Sequence, residues 1–250
     1  MLRHTLLAAA CALSLTTAAF AEEGHTHWGY TGHESPESWG SLSPEFQTCG
    51  QGKNQSPVNI TTTDTVSARL PRLKFHYQPA AVKLTDNGHS IQADYSDGSN
   101  TLEVGGHTYT LKQFHFHVPS ENVIKSQSFP MELHLVHADA QGNTLVLAVL
   151  YEQGKENTRL NALWQNLPEQ AGQSVALPQA FNAATLLPKR HGYYRFEGSL
   201  TTPPCSEGVT WIVLKHYDSV SPAQAQRFEK IIGTPNNRPV QPLNARIIVK

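Results

Sequence analysis

Two short segments with alternating side chains constrain the fold of this chain most strongly. Residues 113–118 read Gln-Phe-His-Phe-His-Val, and residues 131–136 read Met-Glu-Leu-His-Leu-Val. Successive side chains of a β-strand point to opposite faces of the sheet, so His115 and His117 share one face and the phenylalanines share the other. If the strand that carries His134 is a neighbour, three imidazoles converge on one face.

Three neutral imidazoles on rigid strands are typical of a tetrahedral zinc site with its fourth position open, which is the arrangement of a catalytic zinc. Gln113 and Glu132 each precede a histidine by two residues on the same face, where they can accept the hydrogen of its other ring nitrogen. A single His-x-His pattern is a weaker signal, because strand histidines often only fill space. The acceptors on both strands favour the zinc interpretation.

Size and charge limit the alternatives. The chain has 250 residues, enough for one large domain, although the length also permits two. Its formal net charge of −1 gives no broad electrostatic footprint for nucleic acid or an anionic membrane. We therefore expect a small-molecule substrate and no nucleic-acid partner.

The first residues predict a secretory signal peptide over residues 1–21. Arg3 and His4 form a short basic start, residues 6–15 are mostly apolar, and Ala-Phe-Ala at 19–21 matches a cleavage site. The alternative is a membrane anchor, but the apolar run is shorter than the roughly 20 residues that span a bilayer. No later segment is long and apolar enough to cross one. We expect residues 22–250 to form an exported catalytic domain, periplasmic or secreted.

Two of the three cysteines, Cys49 and Cys205, lie beyond the predicted signal peptide. An even pair in an exported protein favours a disulfide. The alternative is two unrelated buried thiols.

The remaining patterns predict a sheet-centred α+β fold, mostly β. We expect a single domain with a large, mainly antiparallel twisted central sheet and a few short peripheral helices. Strands are predicted at 81–84 and 90–93 around an Asp-Asn-Gly turn, at 104–111 with a Gly-Gly turn, at 145–151 and at 209–216. Helices are predicted at 160–167 and after the Ser221 cap, ending at Gly233, and residues 28–54 read as irregular.

Several motifs together resemble the alpha-class carbonic anhydrases, from about Trp28 to the C-terminus and in the same order. These motifs are Asn-Gln-Ser-Pro-Val-Asn-Ile at 54–60, the segment 113–118, Pro-Ser-Glu-Asn at 119–122, Glu-Leu-His-Leu-Val-His at 132–137, Gly-Ser-Leu-Thr-Thr-Pro-Pro at 198–204 and Arg-Pro-Val-Gln-Pro-Leu at 238–243. The resemblance implies reversible hydration of carbon dioxide to bicarbonate by a zinc-bound hydroxide, with weak esterase activity as a side reaction.

The resemblance also implies a role for individual residues. His115, His117 and His134 would hold one Zn²⁺, oriented by Gln113, the backbone carbonyl of Asn236, and Glu132 respectively. Thr201 would accept a hydrogen bond from the hydroxide and donate to Glu121, and His89 would be the proton shuttle. The remaining implied residues contact bicarbonate (Thr202), line an apolar pocket (Val136, Val149, Leu200, Trp211) or organise a water chain (Tyr30, Asn87, Gln92).

One position departs from the family pattern, because Phe196 stands where many relatives have tyrosine. Two other functions stay open at this point. A binding protein of the same fold would have lost a zinc histidine, and none is lost here. The other is a hydrolase that uses the same zinc on esters, although the apolar pocket favours carbon dioxide. Whether the chain is a monomer or a homodimer is not readable from the sequence.

Overall fold

Strands dominate the computed structural model, which describes residues 26–95 and 97–250. The predicted signal peptide lies outside these residues. In chain order the strands are β1 (Asn59–Ile60), β2 (Thr65–Val66), β3 (Lys74–His76), β4 (Lys83–Asp86), β5 (Ile91–Asp94), β6 (Thr101–Val104), β7 (His107–His117), β8 (Val123–Ile124), β9 (Met131–Ala138), β10 (Thr144–Gln153), β11 (Ser174–Ala176), β12 (Tyr193–Ser199), β13 (Glu207–Leu214), β14 (Asp218–Val220) and β15 (Ile248–Val249).

The described helices are short and peripheral, as predicted. They are α1 (Trp39–Leu42), α2 (Gln47–Gln51), α3 (Asn161–Trp164) and α4 (Pro222–Ile232), with 3₁₀ turns at Gly32–Glu34, Pro44–Phe46, Thr158–Leu160 and Ala183–Leu186. None of them combines the length and the apolar composition that a bilayer span needs. Helix α4 has the predicted capping box between Ser221 and Gln224 and ends at Gly233 with φ 80°.

Two helical predictions differ from the structure. The stretch 160–167 contains only α3 and the 3₁₀ turn before it, because Asn166 donates its side-chain amide to Ala162 O at 2.8 Å, the carbonyl that a longer helix would use. The segment 28–54, predicted to be irregular, contains α1, α2 and two 3₁₀ turns. These helices are too short to produce an amphipathic period in the sequence.

Thirteen of the described strands form one sheet with the main order β11-β4-β5-β7-β9-β10-β13-β12-β15-β2, while β1 and β8 pair separately. The sheet is mixed, whereas the sequence predicted a mainly antiparallel one. Strand β10 pairs antiparallel with β9 but parallel with both β13 and β14. The apolar run of β10 is buried on both faces, a pattern that does not reveal the direction of its neighbours.

The register of β7 and β9 decides which side chains meet. His115 lies opposite His134 and His117 opposite Glu132. Further along the pair, Leu111 lies opposite His137 and Gln113 opposite Val136, so Lys112 is an extra residue that forms a β-bulge. The bulge changes which face the following residues of β7 point to.

The sheet separates two apolar clusters. The larger cluster contains the side chains of β7 and β9 that point away from the histidines, and these are Phe114, Phe116, Leu133 and Leu135. The smaller cluster, on the histidine side, contains Val146, Ala148 and Trp211. The N-terminal helices are attached to the body by a disulfide between Cys49 and Cys205, beside the buried Trp39. The predicted disulfide is therefore present.

Candidate active site

The three predicted histidines converge at one face of β7 and β9. The ring centroid of His115 is 5.0 Å from that of His117 and 5.3 Å from that of His134, and the last two rings are 4.6 Å apart. Each ring offers one nitrogen, and the three nitrogens lie within 4.8 Å of one another. The strand alternation read from the sequence therefore produces the predicted cluster.

An acceptor faces the other nitrogen of each ring. His115 Nδ1 is 2.8 Å from Gln113 Oε1, and His117 Nδ1 is 2.7 Å from the backbone oxygen of Asn236. His134 Nε2 lies 3.0 Å from Glu132 Oε1. Because these partners accept hydrogen bonds, each facing nitrogen carries the hydrogen, and Nε2 of His115, Nε2 of His117 and Nδ1 of His134 keep a free lone pair.

The cluster fits a zinc ion. Burial lowers the pKa of all three histidines, well below the usual range for His115 and His134, so the rings are neutral, which is the form that binds metal. The inward Nε2 of His117 is buried and has no hydrogen-bond partner among the described atoms. Three neutral imidazole nitrogens, with no fourth ligand among the described residues, match the donor set of a catalytic zinc site.

Two buried carboxylates lie behind the histidines. Glu132 accepts at one oxygen from the N–H groups of Glu121 and Asn122, at 2.7 and 2.8 Å, and at the other from Asn122 Nδ2. Glu121 accepts from the Arg238 N–H at 2.9 Å through Oε1, and its Oε2 lies 3.5 Å from His117 Nε2. Burial raises the pKa of Glu121 well above its usual range, against the opposing effects of the Arg238 N–H and the Thr201 side chain.

A small cavity of about 110 Å³ opens at His115 and His117. Its lining includes the predicted shuttle, the predicted bicarbonate contact and the three predicted water-chain residues, which are His89, Thr202, Tyr30, Asn87 and Gln92. The His89 ring stacks on Trp28 with a centroid distance of 3.7 Å. The Asn87 side chain accepts from the N–H groups of His89 and Ser90 at 3.0 and 2.9 Å, so it shapes the turn that carries His89.

Comparison with known proteins decides the family. The model of the eukaryotic-type carbonic anhydrases matches residues 34–250. The chain belongs to this family. It is 60% identical over 245 residues to a carbonic anhydrase of Neisseria gonorrhoeae, covering 98% of this chain and 96% of that protein. A carbonic anhydrase of Klebsiella pneumoniae is 48% identical over 226 residues, covering 90% and 91%.

Solved structures agree with this assignment. The alpha-carbonic anhydrase of Thermovibrio ammonificans, in complex with the inhibitor sulfanilamide, superposes with a TM-score of 0.88. It is 47% identical in sequence, and the match covers 91% of this chain and all of that one. The strand-dominated fold is therefore that of an alpha-class carbonic anhydrase.

One predicted pocket residue of the carbonic anhydrase site is wrong. Val149 lies opposite Leu133 on the far face of the sheet and packs in the larger cluster. Val146 lies opposite Val136 instead, and it packs with Trp211 and Leu200 on the histidine side. The run 145–151 contains no polar residue that marks a face, so only the pairing with β9 could have identified Val146.

The sequence also missed two polar residues that hold this carbonic anhydrase site together. Asn122 donates to Glu132 and accepts from the Val58 N–H at 3.2 Å. The Arg238 guanidinium is buried, although its motif had been noted only for its resemblance to the family. A charged residue inside an otherwise uncharged, proline-rich motif was the available signal, because arginine is almost never fully buried without partners.

Phe196 stands where many carbonic anhydrases have tyrosine, and the structure gives it a packing role. Its ring is buried and stacks on Trp211, with centroids 6.1 Å apart and an angle of 3° between the planes. Trp211 in turn lies against His134, at a centroid distance of 5.0 Å. Phe196 therefore supports the wall of the cluster through apolar contact.

Proposed function

We propose that this chain hydrates carbon dioxide reversibly to bicarbonate and a proton, with one Zn²⁺ held by His115, His117 and His134. The observation that carries the proposal is the convergence of three neutral, buried imidazoles, each with its outer nitrogen facing an acceptor. In sites of this family, bound zinc lowers the pKa of a coordinated water to about 7 and so supplies a nucleophile at neutral pH.

The orienting residues are Thr201 and Glu121. In this assignment, the Thr201 hydroxyl accepts a hydrogen bond from the attacking oxygen and donates its own hydrogen to Glu121. The position of Glu121 supports this, because the Arg238 N–H holds Oε1 while Oε2 faces the histidines. This pair fixes the direction of the attacking lone pair, which is a large part of catalysis by orientation.

The wall of the site suits an uncharged substrate. Val136, Val146, Leu200 and Trp211 form an apolar surface beside the histidines. Carbon dioxide is small and has no charge to solvate, so such a wall can hold it without a polar anchor. We assign bicarbonate contact to Thr202, which lines the cavity. Weak ester hydrolysis is expected as a side reaction, because a Lewis acid also polarises ester carbonyls.

We assign proton export to His89. Each hydration releases a proton, and histidine is the side chain whose charge changes near neutral pH. His89 lines the same cavity as His115, and its ring is held in place by stacking on Trp28. Burial and the nearby His27 lower the pKa of His89, while Asp86 opposes this, so its neutral form can accept a proton at physiological pH.

The location of the enzyme is part of the proposal. Removal of residues 1–21 would leave a periplasmic or secreted domain, and the disulfide between Cys49 and Cys205 supports an oxidising compartment. The test is N-terminal sequencing of the exported protein, with a start near Glu22 expected. Sedimentation of the same sample distinguishes a monomer from a homodimer.

Stopped-flow measurement of carbon dioxide hydration tests the proposed function. Zinc-loaded protein should bind one metal per chain and hydrate carbon dioxide far faster than the His134→Ala variant. A zinc-loaded wild-type protein with no more activity than this variant would contradict the proposal. Addition of sulfanilamide, the inhibitor bound in the Thermovibrio ammonificans structure, should abolish the wild-type rate.

A further inference from the structure

The buried guanidinium of Arg238 donates hydrogen bonds to three residues of the N-terminal segment. Only 2% of the residue is exposed, and it lies 5.7 Å from the Trp39 ring centroid. Nη1 donates to Gln55 Oε1 and to Ser56 O, both at 2.8 Å, and Nη2 donates to Cys49 O at 2.8 Å. These acceptors are neutral, so the side chain serves to connect segments of the chain.

The same guanidinium is linked to both ends of the disulfide, directly to Cys49 and through Gln55 to Cys205. It binds the carbonyl of Cys49 directly, and the amide of Gln55, which it holds through Oε1, donates from Nε2 to the carbonyl of Cys205 at 3.0 Å. The Cys205 N–H donates to Thr202 O at 2.9 Å. The disulfide and the loop that carries Thr201 and Thr202 are therefore tied to one side chain.

The backbone around Arg238 contacts the candidate active site. Its N–H donates to Glu121 Oε1 at 2.9 Å. Two residues earlier, the Asn236 carbonyl faces His117 Nδ1 at 2.7 Å, and the Asn236 amide donates to His89 O at 3.0 Å. A shift of this short segment therefore moves a carboxylate partner, a zinc ligand and the predicted shuttle together.

We propose that Arg238 is a positioning residue that transmits the cross-link between Cys49 and Cys205 to the carboxylate of Glu121. With the disulfide intact, the acceptors of the guanidinium are fixed, and the Arg238 N–H stays directed at Glu121. Without it, α2 and the loop of Cys205 separate, the guanidinium loses its fixed acceptors, and Glu121 loses a fixed partner. The catalytic consequence rests on the role proposed above for Glu121.

A double-mutant cycle tests this transmission. One arm is Arg238→Lys, which keeps the charge but lacks the planar donor fork. The other is the paired substitution Cys49→Ala with Cys205→Ala. The readouts are kcat/KM for carbon dioxide hydration on zinc-loaded protein and the hydrogen-exchange rate of the residue 238 amide. The second readout reports the hydrogen bond to Glu121 directly and does not depend on catalysis.

If Arg238 and the disulfide act on Glu121 through the same contacts, the effects of their substitutions on activity are not additive. We expect each arm to lower kcat/KM about tenfold, which corresponds to about 1.4 kcal/mol of lost transition-state stabilisation. The combined protein should lose about tenfold as well, and all three should exchange the 238 amide faster than the wild type. A combined loss near the product of the two arms, or unchanged amide exchange, would overturn the proposal.

Arg159→Lys is the matched control. Arg159 also donates to two backbone carbonyls, of Thr185 and Leu187, at 3.2 and 2.9 Å, but it does not contact the disulfide. Its substitution should leave activity unchanged and should add independently to the cysteine substitutions in the free energy of unfolding. If Arg238→Lys does not fold, Gln55→Leu replaces it in the cycle with the same expected non-additivity. A wild-type protein without hydration activity would contradict the proposed function, while the exchange rates would still decide the transmission.

Discussion

His134 and His137 lie three residues apart on β9, on opposite faces of the same sheet. Both are almost inaccessible to solvent, and burial lowers the pKa of both, to about 4 for His137. Tyr77 Oη lies 2.5 Å from His137 Nε2, and the carbonyl of Leu145 lies 3.4 Å from its Nδ1. Among the described residues, Glu132 Oε1 lies 3.0 Å from His134 Nε2, and the other nitrogen of His134 faces the two neighbouring imidazoles.

The difference teaches that burial and a low pKa do not identify a metal ligand. Leu145 O can only accept, so His137 carries its hydrogen on Nδ1 and accepts from the Tyr77 hydroxyl at Nε2. Both of its nitrogens are used within the core. A functional histidine is recognised by a nitrogen that the protein leaves free and directs at similar groups. His134→Ala and His137→Ala should therefore have different consequences.

The largest effect is expected for His134→Ala. Loss of a residue that only orients a ligand typically costs about 10- to 100-fold in metal affinity or activity, so loss of a ligand should exceed about 100-fold in kcat/KM. His137→Ala should keep zinc binding and activity and lose stability alone. Zinc titration and stopped-flow hydration on both variants measure this contrast. Equal losses of activity would show that the two histidines do not differ as described.

Glu132→Gln should have the next largest effect. The carboxylate accepts from three donors and faces His134 Nε2, whereas an amide presents one oxygen and a donor group. Zinc affinity should fall about 10- to 100-fold, the usual cost of losing a partner that orients a ligand. Competition with a chelator measures the dissociation constant. Tyr77→Phe, which removes the partner of His137, is the control and should leave zinc affinity unchanged.

His89→Ala should have a smaller effect that depends on buffer. General acid–base groups typically contribute about 100-fold or more, but buffer replaces part of the proton transfer, so we expect kcat to fall about tenfold in dilute buffer. The ratio kcat/KM should hardly change, because the shuttle acts after bicarbonate forms. Added imidazole should restore kcat. A loss of kcat that imidazole does not restore would assign His89 a structural role.

The smallest effect on activity belongs to His137, whose influence should be on stability against pH. Its pKa in the folded protein is about 4, below the usual 6.5, so the unfolded chain binds the additional proton between these values. Its contribution to stability is complete above pH 6.5 and is lost as the pH falls to 4. The loss is on the order of 3 kcal/mol over that window.

Chemical unfolding between pH 7 and pH 4 measures the His137 effect. The wild type should lose stability through this range, partly because the His137 ring becomes protonated only in the unfolded chain. His137→Gln can still pair with Tyr77 and does not titrate, so its free energy of unfolding should fall less steeply with decreasing pH. Identical slopes for both proteins would mean that His137 does not titrate differently in the folded and unfolded states.

Much of the site could be predicted because the alternation of a strand is a local property. The two histidine segments define their own faces, and Phe114 and Leu133 mark the opposite face by their apolar character. The hairpin of β4 and β5 and the cap of α4 are confirmed for the same reason, since their turn and cap residues are adjacent in sequence.

Apart from the two short helical segments, the errors concern relations between distant segments. The parallel pairing of β10 with β13 and the burial of Arg238 depend on residues more than sixty positions apart. Val149 was assigned to the wrong face because a continuous apolar run carries no sign of orientation. The bulge at Lys112 is only weakly visible in the sequence. The apolar residues Tyr109 and Leu111 pack on the same side as Phe114 and Phe116, so the period of two is interrupted between them.

The β-bulge at Lys112 decides which face of the sheet carries His115 and His117. In β7, the residues that point to the core have odd numbers before Lys112 and even numbers after it. If Lys112 were instead paired in a regular ladder without the bulge, every later residue of β7 would turn to the opposite face of the sheet. The phenylalanines would then point to the cleft and His115 and His117 into the core. The ability of this chain to bind a metal thus depends on one unpaired residue of a strand as much as on the identity of the ligands.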